Sequence, residues 1–233
     1  MEQPTLRRGA TVRAFTLIEL LVVMGIVALL IGILAPSLKR AREQARDTQC
    51  RGQLHSIYLA LTSYLNDYEK FPELNNDERD GAWQYNYLIY DGRDFDENFG
   101  PLINDGWSLD SVEVLFCPRQ TDPYHSFATA ENPWPVVPLL DTRSSYGRRY
   151  NLSGRSLAQL RGNPAVLTDV FHLPKVVKTG HVNGINAAYL GGDVRWVPDT
   201  GRFLTDNELT RPFQSEDNDL LEDIWDKINR GGR

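Results

Sequence analysis

The chain has 233 residues, enough for one domain plus an attached segment. A net charge of −6 excludes a dominant basic face, so nucleic acid is not an expected partner. Two cysteines, Cys50 and Cys117, are too few for a disulfide scaffold and leave room for a single bridge.

Residues 1–14 form a short basic leader, with Arg7, Arg8 and Arg13 against Glu2. Residues 15–35, FTLIELLVVMGIVALLIGILA, are apolar or small almost throughout. As a helix this run reaches roughly 30 Å, the thickness of a bilayer's hydrocarbon core. A secretory signal peptide fits poorly, because its apolar region is usually about 7–15 residues and ends at a cleavage site. Here the run leads straight into SLKRAREQAR, which continues a helical pattern. A plain membrane anchor explains the length but not Glu19, the one charge in the span. A charge at the centre of a membrane helix costs about 2.5–3.5 kcal/mol, less near an end. No Lys or Arg lies within the span to pair with Glu19. A cut between Ala14 and Phe15 would create a positive amine about one helical turn away.

The stretch FTLIELLVVMGIVALLIGILAP resembles the class III signal of type IV pilins and type II secretion pseudopilins. The resemblance implies that a prepilin peptidase cuts on the cytoplasmic side between Ala14 and Phe15 and N-methylates Phe15. It makes Glu19 the fifth mature residue, which guides subunit assembly, and Pro36 the proline that kinks the long helix. Ala14 departs from the family pattern, which usually has Gly before the cut. Basic residues flank both ends of the span, so charge bias alone does not orient it. The resemblance places the chain in the inner membrane as a single-pass protein. Its C-terminal domain would lie in the periplasm or in an extracellular filament. The implied partners are the peptidase and other pilin-like subunits.

Residues 36–70 are expected to continue the helix in amphipathic form. Leu54, Ile57, Tyr58, Leu61, Tyr64 and Leu65 recur at spacings of three and four, one stripe for a core. The helix is expected to end near Tyr68, before Phe71-Pro72. The next segment carries Asp67, Glu69, Glu73, Asp77, Glu78 and Asp80 against Lys70 and Arg79. It reads as a solvated loop. Its hard oxygen ligands also allow a calcium loop, but the spacing matches no EF-hand, and no cofactor is expected.

Residues 71–233 are expected to form a β-rich globular domain. SVEVLFCP, PWPVVPLL and PAVLTDVF read as short strands. INAAYL and DVRWV, joined by Gly191-Gly192, read as a hairpin with a two-residue type I′ or II′ turn. CRGQLHSIYLALTSYLNDYEKFP and LFCPRQTDP also resemble segments of pilin-like proteins abundant in planctomycetes. Cys50 and Cys117 hold the corresponding positions, and a bridge between them would be worth roughly 4 kcal/mol in the chain-entropy model. Two buried thiols are the alternative. Those proteins carry a C-terminal His, nine residues, then Asp-Gly. Here His181 is followed by nine residues and then Gly191-Gly192, which keeps the turn and loses the carboxylate. A structural role for the pair is therefore expected.

The four histidines show no His-x-x-x-His spacing, and no Gly-x-Ser-x-Gly elbow or P-loop is present. His181 with Asp169 or Asp193 could form an acid–base pair, but a single His in a loop before a strand is more often a hydrogen-bonding structural residue, so no catalytic residue and no metal ligand is assigned. In the tail, Ser215 is a candidate N-cap, and Leu220, Leu221, Ile224, Trp225 and Ile228 share one helix face. That face would pack on its own domain or on another subunit. The fold class expected is α+β: a long N-terminal helix, membrane-spanning in its first half, against a small antiparallel sheet. The function expected is a structural subunit of a type IV pilus or type II secretion pseudopilus. The alternative is a single-span anchored periplasmic binding protein that does not polymerise.

Overall fold

The computed structural model describes residues 16–74, 86–96, 98–104, 109, 111–206 and 217–232. The leader with Ala14, and Phe15 after it, lie outside the described residues, as do Asp77, Glu78, Arg79, Asp80 and Ser215. The chain divides into two compact units, Met1–Gln44 and Ala45–Arg233.

Helix α1 spans Leu17–Tyr68 and is assigned without a break across Pro36. Within the first unit, Leu17, Leu20, Val23, Val27, Ile31 and Leu34 are all exposed. A helix apolar on every side has no face that prefers water. This stretch is long and apolar enough to cross a membrane. Pro36 has no N–H to donate, so the carbonyl of Gly32 loses its helical partner. Ser37 Oγ–H donates to Leu34 O nearby, at 2.8 Å.

In the second unit α1 becomes one-sided. Cys50, Leu54, Ile57, Ala60, Leu61 and Leu65 are its buried residues, spaced so that they form one stripe. The helix stops where Glu69 turns to a positive φ of 58°. Its N–H still reaches Leu65 O at 3.0 Å, which closes the last turn.

Strand β1 (Leu88–Tyr90), helix α2 (Pro101–Asn104) and strand β2 (Thr142–Arg143) come next, and β1 pairs antiparallel with β2. Strands β3 (Tyr146–Arg148) and β4 (Ala165–Asp169), helix α3 (Pro174–Gly180), and strands β5 (Gly184–Tyr189) and β6 (Val194–Pro198) follow. Helix α4 (Asn218–Asn229) closes the order. The main sheet is antiparallel in the order β3-β4-β5-β6.

Strand β5 is buried along its whole length because both faces are covered. Ala188 packs in the cluster that holds Leu54, Ile57 and Leu61 of α1. Ile185, Ala187 and Tyr189 pack in the cluster that holds Leu221, Ile224, Trp225 and Ile228 of α4. The alternation follows from the two-residue period of a strand. The tail helix therefore packs on its own domain.

Two expected strands are not strands. SVEVLFCP contains a 3₁₀ turn at Val112–Leu115, where Ser111 Oγ accepts from Glu113 N–H at 3.2 Å. That cap competes with extension, and a three-residue step suits buried Val112 and Leu115. PWPVVPLL forms no strand because Pro133, Pro135 and Pro138 cannot donate to a ladder.

Candidate functional site

The N-terminal end of α1 is built as a reciprocal cap. Thr16 is the residue before the helix, and Glu19 is the third residue within it. Glu19 N–H donates to Thr16 Oγ1 at 3.2 Å. The Glu19 carboxylate turns back and accepts from Thr16 N–H at 2.9 Å and Thr16 Oγ–H at 2.8 Å. This is a capping box, and Thr-Leu-Ile-Glu is its sequence signature. The carboxylate is thus hydrogen-bonded within its own first turn, one residue from Phe15. The partner of Glu19 is the uncharged Thr16, and not a Lys or Arg.

The other singled-out residues converge in the second unit. Cys50 on α1 and Cys117 are joined by a disulfide, with their Cα atoms 5.2 Å apart. His181 follows α3 and is 4% exposed. Its Nε2 lies 3.5 Å from Cys117 Sγ and 3.5 Å from Asp169 Oδ2. Its Nδ1 lies 3.3 Å from Asp47 Oδ1 on α1. Arg119 NH1 also reaches Asp47 Oδ1, at 3.1 Å. Asn186 on β5 donates to Asp169 Oδ2 from its backbone at 2.6 Å and from its side chain at 2.9 Å. Burial pushes the Asp169 carboxyl above its usual range, while His181 and the two Asn186 bonds pull it back. Trp196 packs edge-on to the imidazole, with ring centroids 5.6 Å apart.

Of the two acids considered for His181, Asp169 is adjacent and Asp193 is not. Asp193 instead pairs with Arg195 and accepts from Asn163 Nδ2 at 3.1 Å. Gly191 and Gly192 lie in the β5–β6 turn, but the turn differs from the expected two-residue loop. Gly192 N–H donates to Tyr189 O at 2.8 Å, and Tyr189 N–H to Asp193 O at 2.9 Å. The loop is therefore Leu190, Gly191 and Gly192, and of the two glycines only Gly192 has a positive φ, 88°. That is the three-residue hairpin class ending in a left-handed residue. Glycine serves that last position because a Cβ is strained there.

Helix α1 holds this turn. Tyr58 O–H donates to Leu190 O at 2.6 Å, and His55 Nδ1–H donates to Gly192 O at 3.1 Å. The motif from His181 to Gly192 is thus fastened to α1 at both ends, through Asp47 at one and through His55 and Tyr58 at the other. His55 and Tyr58 carry no local signal for this role, since the turn they hold is more than 130 residues away.

Two further histidines are buried together. His125 Nδ1–H donates to Ser144 O at 2.7 Å, and its ring lies 4.7 Å from that of His172. Burial pushes the His125 imidazole down to about 4, against the Ser144 bond that favours its charged form. Burial likewise holds His172 well below its ordinary value, helped by the charges of His125 and Arg143. Two neutral imidazoles, His172 stacked on Tyr87 and His125 edge-on to it, serve as packing. From the acidic stretch near residue 70, Lys70 and Glu73 form an exposed ion pair at 2.8 Å. Among the described residues, no cluster of carboxylates there has metal-ligand geometry.

Comparison with known proteins bears on the same regions. Residues 10–35 match the model of the prokaryotic N-terminal methylation motif. Residues 39–148 match a family described as protein of unknown function (DUF1559). The chain is similar to the type IV wide pilus major component PilA4 of Thermus thermophilus, 44% identical over 104 residues. That match covers 45% of this chain and 61% of PilA4, less than two thirds of the relative's own length. No solved structure matches the chain. A methylation motif, a 52-residue N-terminal helix that begins inside it and a pilin relative matched over part of its length point one way: this chain is similar to type IV pilins.

Proposed function

We propose that the mature chain is a structural subunit of a type IV pilus or of a related pseudopilus in the inner membrane. Processing removes residues 1–14 by cleavage between Ala14 and Phe15 and methylates the new amine. The observation that carries this reading is the coincidence of the methylation motif at 10–35 with a helix whose first half is apolar on all sides. Such a helix is stable in lipid before assembly and against like helices after it. The relative's name describes a major pilus component, and a comparable role is proposed here.

In this scheme Glu19 has two successive partners. In the uncut chain its carboxylate is bonded to Thr16. Cleavage adds a positive amine next to that cap, and the carboxylate can then pair with this amine or with that of a neighbouring copy. Such a pair is strongest in a low-dielectric bundle.

The test is mass spectrometry of the exported protein together with crosslinking of membrane fractions. The expected N-terminus is methylated Phe15, and Glu19→Ala is expected to insert normally but to crosslink into few multimers. An intact Met1 on the exported protein, or normal multimers from Glu19→Ala, would contradict the scheme. An uncut and monomeric wild-type chain would favour the anchored binding protein instead.

A further inference from the structure

The Cys50–Cys117 bridge sits inside a set of metal-ligand side chains that no local motif announces. Cys50 comes from α1, Cys117 from the segment after the Val112–Leu115 turn, Asp169 from the end of β4 and His181 from the loop after α3. All four are buried. The sulfurs of Cys50 and Cys117 and a ring nitrogen of His181 lie within 4.8 Å of one another. His181 Nε2 is 3.5 Å from both Cys117 Sγ and Asp169 Oδ2. Tetrahedral zinc, with bonds of about 2.3 Å to sulfur and about 2.0–2.2 Å to nitrogen and oxygen, spaces its donors about 3.3–3.8 Å apart.

Three more observations point the same way. The second nitrogen of His181 faces the Asp47 carboxylate at 3.3 Å. A carboxylate on the far side of a ligating imidazole fixes its tautomer and orientation. A small cavity of about 10 Å³, enough for one water or one ion, is lined by Cys117, Asp169 and His181. Asp169 Oδ1 is buried and has no hydrogen-bond partner among the described residues, so this carboxylate has an unused donor oxygen.

We propose that Cys50, Cys117, His181 and Asp169 form a zinc-type metal site in the dithiol state of the chain, with Asp47 positioning the His181 ring. Metal binding and bridge formation then exclude each other. A dithiol or phosphine reductant supplies two electrons, and two protons complete the conversion of the S–S bond to two thiols. The divalent ion then displaces both thiol protons to solvent. The resulting set is two thiolates, one neutral imidazole and one carboxylate. Arg119, paired with Asp47, lies on the same side of the site and offsets part of its negative charge. All of these residues belong to the second unit.

The experiment uses the full chain in detergent, reduced with a phosphine under anaerobic conditions and titrated with Co²⁺. One equivalent is expected to bind with thiolate-to-cobalt charge-transfer absorption and the intense visible bands of a tetrahedral site. Zn²⁺ should displace it. The bridged chain should show no such bands, and His181→Gln should abolish them. Asp47→Asn should weaken binding roughly 10–100-fold while leaving the band positions unchanged, as expected of a positioning residue. Absence of the charge-transfer band, or a band that His181→Gln leaves unchanged, overturns the proposal. The wild-type chain gives an independent reading, because bound Zn²⁺ should protect both thiols from alkylation. Alkylation at the metal-free rate overturns the proposal, as does a reduced, unfolded chain whose Trp fluorescence Zn²⁺ does not restore.

Discussion

Gly192 shows how much one backbone conformation can demand. A Cβ at its φ of 88° would be strained and would stand 3.2 Å from Cε1 of the Tyr58 ring. Gly192→Val is expected to destabilise the domain by about 1–3 kcal/mol. A urea midpoint equal to that of the wild-type chain would dismiss the argument. The His125–His172 pair has a different consequence. Both folded pKa values lie below the unfolded value near 6.5. Between those values the unfolded chain binds more protons, so stability held at pH 7 is lost as pH falls from about 6.5 through about 4. His125 alone accounts for about 3 kcal/mol of that loss. Asp169 has the opposite sign, because its pKa is raised and its contribution declines as pH rises past the unfolded value. Unfolding midpoints at pH 7, 6 and 5 should therefore fall steadily in the wild-type chain and less steeply in His125→Gln. Midpoints that stay level over this range would show that the pair is not buried as described.

At the scale of elements, Trp225 is the largest side chain that α4 buries against the rest of the domain. Its side chain is fully buried, meets Phe171 edge-to-face at 5.4 Å and carries the Arg149 guanidinium 5.5 Å above its ring. Trp225→Ala should cost about 3–5 kcal/mol, while Trp225→Phe, which keeps most of the volume, should cost less. Thermal unfolding of the two variants measures the difference, and equal losses would dismiss the packing argument. Glu222 reinforces the same contact. It accepts from Tyr150 O–H, from Asn151 Nδ2 at 3.1 Å and from Arg149 NH2 at 3.3 Å. The amphipathic face of α4 was legible from Leu221, Ile224, Trp225 and Ile228. Its partner was not, because a helical period states that a face is covered and not by what. The failed strands have a local cause as well. Ser111 caps a 3₁₀ turn, and three prolines interrupt PWPVVPLL.

The whole molecule joins a segment suited to lipid with a domain suited to an oxidising compartment. The bridge closes a sequence separation of 67 residues. Converting both cysteines to serine should cost about 2–5 kcal/mol in a denaturant titration, and no loss at all would refute a stabilising role. Much of this plan follows from the sequence alone, because helix length, apolar periodicity and the FTLIE motif are local. They specify α1, its change from all-round apolar to one-sided, and its end at Tyr68. The β5–β6 hairpin is local too, through its glycines and alternating residues. Tertiary structure decided the rest. The turn gained a third residue because Gly192 alone takes the left-handed position. Asp47, Cys117, Asp169 and His181 come together only when α1 lies against the sheet. Ion pairs, hydrogen bonds and metal geometry act over a few ångströms in space, and chain separation carries no trace of them. The sequence therefore determines the long apolar helix and its methylation motif, and folding alone creates the buried centre around His181.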